Sequence, residues 1–118
     1  MSTVPALGPL ASLLDEARLV HPSMTVNQLM VFPMIAMNEV PDQQTIEERV
    51  DLSDASASRI IALLGQYGNR GTEPLNLIEI VPDANDRRRK SYVLTKKGRK
   101  LVERFMEQLD RYRGGPFQ

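Results

Sequence analysis

The residues best suited to chemistry in this chain of 118 are Ser53, Asp54, Ser56, Ser58 and Arg59 in one short run, and Arg87, Arg89 and Lys90 in a later one. Hydroxyls donate to and accept from base edges and phosphate oxygens, and guanidinium groups suit guanine and phosphate. This is the chemistry of polyanion recognition. Catalysis has no comparable set: no nucleophile–base pair can be assembled from motif spacing. The single histidine, His21, precedes a proline and reads as a solvated loop residue. Asp15/Glu16 and Glu47/Glu48 read as exposed helix faces and caps. There is no cysteine, which excludes a disulfide scaffold, a thiolate metal site and a thiol redox switch. The chain is therefore not expected to be an enzyme, and no metal or other cofactor is expected.

The net charge is zero, but its distribution is uneven. Residues 1–66 hold three basic and eight acidic side chains, whereas residues 67–118 hold twelve basic and seven acidic. Within 87–104 nine basic residues accompany one acidic one, Glu103. An anionic partner responds to that local field rather than to the total. Apolar residues make up 42% of the chain, enough for one domain with a modest core. No run of about 18 apolar residues offers a membrane span, and no basic n-region precedes an apolar stretch, so a cytoplasmic protein without membrane contact is expected.

The first run lies in TIEERVDLSDASASRIIALL, residues 45–64, which reads as two helices and a tight turn. Thr45 with Glu48 predicts a capping box for the first helix. Asp51-Leu52-Ser53 interrupts it, and Ser53 caps the second, with Asp54 in the first turn, where the helix dipole favours negative charge. Ala57, Ile60, Ile61 and Leu64 form one apolar face, and Ser56, Ser58, Arg59 and Ala62 lie opposite. The pattern is a helix-turn-helix over 45–66. An ordinary helical hairpin in an all-α core would show the same amphipathicity.

The rest of the chain supplies the frame. Residues 1–9 are a loose arm, and 10–20 a short amphipathic helix. Thr25 caps a helix over 26–40 that is apolar nearly all round, with Pro33 kinking it. Residues 65–76 are a Gly-rich loop in which Arg70 is a candidate phosphate contact. Residues 75–81 alternate as a strand, turn residues follow at 82–86, and Ser91–Leu94 form a second strand, so a basic hairpin spans 75–94. Thr95 caps a final helix over 96–113, and 114–118 are a tail. Gly98 lies where the chain passes close to a neighbour. The domain spans 10–113, mainly α with a small β-hairpin.

Two stretches carry a resemblance. Leu52-Ser53 through Ser58-Arg59 matches one motif, and Asp86-Arg87-Arg88 followed by Leu94-Thr95-x-x-Gly98 matches another, over about Thr25 to Phe105. With these the chain resembles the MarR-type winged helix-turn-helix regulators. Its RIIALL helix, Gly-rich loop and short ends also resemble small phage and prophage proteins. The resemblance implies a transcriptional regulator of double-stranded DNA, a helix over 54–64 in the major groove, and a wing on the adjacent minor groove or backbone. It implies that Asp86 and Arg88 brace the wing, which leaves Arg87, Arg89 and Lys90 for DNA. Lys96 and Lys97 are then phosphate candidates or a solvated first turn. A two-fold homodimer is implied, with Leu10, Leu13, Leu14, Val102, Phe105, Met106, Leu109 and Tyr112 as its residues, although both terminal helices are shorter than in typical members. The sequence offers no dedicated pocket for a small-molecule effector. A winged-helix adaptor that binds a protein, for example a phage protein on host transcription or replication machinery, is the competing expectation. The basic cluster argues against it, because a neutral surface has no use for that charge.

Overall fold

The computed structural model describes residues 7–83, 85 and 90–112. Asp86, Arg87, Arg88 and Arg89, the first six residues and the tail from 113 lie outside them. Five helices and one hairpin follow in order: α1 (Gly8–Val20), α2 (Val26–Ala36), α3 (Gln43–Val50), α4 (Asp54–Leu64), β1 (Ile78–Pro82), β2 (Lys90–Leu94) and α5 (Lys96–Arg111). No helix among the described residues is long and apolar enough to cross a membrane.

Helix α1 starts at Gly8, two residues before the expected start at 10. Pro9 sits in the first turn, where its missing N–H costs nothing. Thr25 and Gln28 form the capping box of α2, which runs through Pro33 as a single helix. It stops at Ala36, however, and not at 40. Asn38 adopts a left-handed conformation at φ 59°, and the N–H groups of Asn38 and Glu39 reach back to the carbonyls of Ile35 and Met34. That pair of bonds is a Schellman stop, which asparagine tolerates better than most residues. Val40 then turns inward and is buried.

Thr45 does not cap α3. The cap is Asp42, one turn earlier: its Oδ1 accepts from the Thr45 N–H at 2.8 Å and from the Thr45 hydroxyl at 2.7 Å. A carboxylate is the stronger acceptor at a positive helix end, and Gln43 and Gln44 extend the helix readily. With the cap at Asp42 the first helix of the pair begins at Gln43, three residues earlier than a Thr45 cap would allow. It ends at a left-handed Asp51, φ 53°.

Ser53 caps α4 as the sequence indicates, accepting from the Ser56 N–H at 3.1 Å. The apolar face of α4 is buried: Ala57, Ile60, Ile61 and Leu64 join Phe32, Ile35, Val40, Ile46, Leu77, Ile78 and Leu101 in one core. Phe32 meets Phe105 edge to face, with ring centroids 6.3 Å apart. A T-shaped pair of this kind adds about 1 kcal/mol beyond its buried area.

The hairpin begins later than the alternation suggests. Only Ile78–Pro82 pair with β2, in antiparallel register Ile78 to Leu94 and Ile80 to Tyr92. Residues 75–77 have another task. The last four carbonyls of a helix lack intrahelical partners. In α4 the Ile61 carbonyl takes Gly65 N–H, Ala62 takes Gly68, Leu63 takes Leu75 and Leu64 takes Leu77. The segment read as the first half of a strand is thus the C-terminal cap of the second helix. Leu75 and Leu77 are buried as they do this.

Helix α5 is capped by Thr95, whose Oγ1 accepts from the Gly98 N–H at 3.0 Å and donates to the Asn76 carbonyl at 2.6 Å. A Cβ on Gly98 would stand 1.9 Å from the Leu77 carbonyl oxygen. Glycine here is a packing requirement. It lets α5 press against the loop that caps α4. Further along, α5 runs antiparallel to α1: Glu16 accepts from Gln108 at 3.2 Å and pairs with Arg104, and Ser12 bonds to Tyr112 at 3.3 Å.

Candidate nucleic-acid interface

The five side chains of the first run differ in what they are free to do. Ser53 accepts from the Ser56 N–H, and its hydroxyl bonds to the Ser56 hydroxyl at 3.0 Å. Asp54 is held by Gln43, whose amide donates to its carboxylate at 2.5 Å and to its carbonyl at 3.2 Å. The same amide reaches Glu47 at 3.3 Å. Gln43 therefore pins the start of α3 to the start of α4, a role its position in the sequence did not suggest. Ser58 and Arg59 remain exposed on the outer face, and Arg59 has no ion-pair partner among the described residues.

The hairpin is fixed to α4 by a side chain the sequence also left unmarked. Gln66 donates through Nε2 to the Ile80 carbonyl and accepts through Oε1 from the Ile80 N–H, both at 3.0 Å. One amide thus stands in for a neighbouring strand on the free edge of β1 and satisfies both backbone groups of Ile80. The angle between helix and hairpin is set by these two bonds. A Gln after an amphipathic helix carries no pattern by which this pairing could be found.

Helix α4 and the hairpin open onto one concavity of about 120 Å³, lined by Gln43, Ser58, Ala62, Tyr67, Lys90 and Tyr92 among others. Ser58 and Lys90, one from each run, thus share a surface. Lys90 is exposed on β2. The other basic residues of the hairpin, Arg87 and Arg89, lie outside the described residues, as do Asp86 and Arg88. Arg70 is exposed at the tip of a tight turn, where Asn69 and Thr72 pair backbone to backbone. Asn69 also donates to the Arg59 carbonyl at 3.1 Å, which ties that turn to α4. Of the two phosphate candidates on α5, Lys96 is exposed, but Lys97 donates to the Leu75 carbonyl at 2.8 Å. Its ammonium braces the 75–77 segment and is not simply solvated.

Tyr92 lies half-buried at the base of this surface. Its phenol is pushed up to about 12 from the ordinary 10.0, by burial first and by the Asp42 carboxylate second.

A second feature lies among α1, α2 and α5. An apolar groove of about 370 Å³ is lined only by apolar side chains, including Leu13, Leu14, Phe32, Val102, Phe105 and Met106. Leu10 and Leu109 also line it, so seven of the eight residues named for dimerisation meet in one groove. The eighth, Tyr112, packs its ring on Gly8 within the same chain.

No protein-family model and no curated protein matches the sequence. Solved structures do. A MepR mutant from S. aureus bound to an oligodeoxyribonucleotide is 24% identical, with a TM-score of 0.59 over 94% of this chain and 79% of that one. RV1404 from Mycobacterium tuberculosis is 19% identical, with a TM-score of 0.64 over 99% and 88%. The PcaV transcriptional regulator from Streptomyces coelicolor, in complex with its natural ligand, is 28% identical, with a TM-score of 0.54 over 86% and 71%. By this likeness of fold the chain is a winged helix-turn-helix protein with the MarR-type architecture.

Proposed function

We propose that this protein is a sequence-specific regulator of transcription that binds double-stranded DNA as a homodimer. Helix α4 enters the major groove with Ser58 and Arg59 outermost, while Ser53, Asp54 and Ser56 hold the start of the helix. The wing lies on the adjacent minor groove or its backbone, with Lys90, Arg87 and Arg89 as its cations and Asp86 and Arg88 as its brace. Arg70 and Lys96 add phosphate contacts at the rim. The observation that carries this reading is the concavity shared by Ser58 and Lys90: helix face and wing root address a partner from the same side. A duplex offers a major and a minor groove side by side, which is the shape two such projections fit. The DNA-bound MepR structure supports the same reading by likeness of fold. The apolar groove gives a second copy a surface to cover, and two-fold pairing would present two α4 helices to one duplex.

Selection of bound sequences from a random DNA pool tests this. A palindromic consensus is expected. On that consensus Arg59→Ala should weaken binding by roughly 1–3 kcal/mol and relax the preference at one base pair. A pool that never departs from random, or a variant that binds the consensus like wild type, rejects the assignment.

A further inference from the structure

We infer that Tyr67 is a DNA-backbone contact, a phenol built to donate to a phosphate of the strand that passes between recognition helix and wing. The inference rests on the DNA-binding reading above and extends it to a residue whose type and position carry no motif. Tyr67 is 67% exposed and lines the concavity between Ser58 and Ala62 of α4 and Lys90 of β2. Its hydroxyl has no hydrogen-bond partner among the described residues.

An exposed tyrosine is ordinary. This one is held on both sides. Gln66, before it, is bonded twice to the Ile80 backbone. Gly68, after it, donates to the Ala62 carbonyl at 2.7 Å from a left-handed backbone, φ 71°. A Cβ at Gly68 would meet the Thr72 carbonyl oxygen at 2.7 Å, so the loop is closed around that glycine. The backbone of Tyr67 is thereby locked, and only two side-chain torsions remain. A large amphipathic side chain is presented in a fixed place at little entropic cost.

The place matters because of duplex geometry. Each sugar–phosphate strand separates a major from a minor groove. A protein that puts a helix in one groove and a hairpin in the neighbouring one must straddle that strand. The concavity between α4 and the wing is where the strand has to lie. Among the described residues its lining carries one cation, Lys90, and three hydroxyl groups, those of Ser58 and Tyr67 and, half-buried at the base, Tyr92. Tyrosine donates to phosphate oxygens, and such contacts set position without reading sequence.

The test measures binding of the full chain to a duplex recovered from the random pool and to a scrambled duplex of equal length, over a series of salt concentrations. Tyr67→Phe should weaken binding to both duplexes about tenfold, as expected for one hydrogen bond to a charged acceptor. The ratio between the duplexes should hold. The slope of log K against log salt should also hold, because a neutral donor releases no counterion, whereas Lys90→Ala should flatten it by about one. A neutral methylphosphonate is then placed at each backbone position in turn. At one position it should cost wild type the same factor and cost Tyr67→Phe nothing further. If wild type binds neither duplex, the DNA reading itself falls. If wild type binds and Tyr67→Phe matches it at every salt, Tyr67 is no contact. If the loss is confined to the selected duplex, Tyr67 reads a base and the backbone assignment is overturned.

Discussion

Around α4, side chains tie the helix down in every direction. Gln43 links it to α3, Ser53 and Ser56 close its first turn, Gln66 links the following loop to the wing, and Asn69 returns that loop to Arg59. Across the groove among α1, α2 and α5 the arrangement is different. Its lining is apolar throughout, and the polar links seen nearby among the described residues join α1 to α5. Hydrogen bonds fix angles, and dispersion and apolar burial do not. A surface that must match the spacing of two DNA grooves needs its geometry before the partner arrives, since disorder there would be removed at the expense of affinity. A surface completed by a second copy can take its final shape from that copy. The two faces of this molecule differ as the two proposed tasks, DNA recognition and pairing of copies, would require.

The largest expected effect comes from the point where both faces are joined. Gly98→Ala drives a methyl group into the Leu77 carbonyl and separates α5 from the loop that caps α4. A loss on the order of 3 kcal/mol is expected, with a fall of more than about 10 °C in Tm, because overpacking against backbone cannot be relieved by a rotamer. A variant that melts with wild type would show that α5 is docked less tightly than this contact implies.

Next is the apolar face. Leu14→Glu combined with Met106→Glu changes two groove residues that are already about half exposed, so the single chain should keep its fold. Sedimentation should show a dimer for wild type and a monomer for the variant. Affinity for a palindromic duplex should fall about a hundredfold as the second half-site becomes a separate binding event. A wild-type chain that sediments as a monomer at all concentrations would leave the groove without its proposed occupant.

The braced face should respond more gently. Gln66→Ala leaves the N–H and carbonyl of Ile80 without partners, at about 1–2 kcal/mol. Hydrogen exchange should quicken at the Ile80 amide ahead of the amides in α2. Uniform acceleration across the domain would mean that Gln66 supports the core and not the wing angle.

The smallest effect is a matter of pH. The fold keeps Tyr92 as a neutral phenol, with its pKa raised from 10.0 to about 12. Its contribution is whole below pH 10 and is lost as the pH climbs from 10 through 12, since the unfolded chain ionises first. Tyr92→Phe should lack that part of the alkaline decline in urea midpoint. Parallel declines for the two proteins would remove Tyr92 from the account.

What the sequence determined about this protein is what depends on near neighbours. Ser53, Thr25 and Thr95 cap their helices because a cap is a contact over three residues, and the face of Ala57, Ile60, Ile61 and Leu64 follows from helical period alone. The wing was legible from turn residues and alternation, and Gly98 from its place early in a helix. The choice of Asp42 over Thr45 as a cap was not legible, because two acceptors one turn apart compete and packing decides. Nor were the roles of Gln66, Gln43, Lys97 and Leu75–Leu77. Each of these meets a backbone group or side chain from 11 to 22 residues away in sequence, and an amide, an ammonium or a leucine has no pattern that names so distant a partner. Only the assembled chain brings those groups within 3.2 Å, and for Leu75 and Leu77 the unpaired carbonyls at the end of α4 are what made the connection necessary.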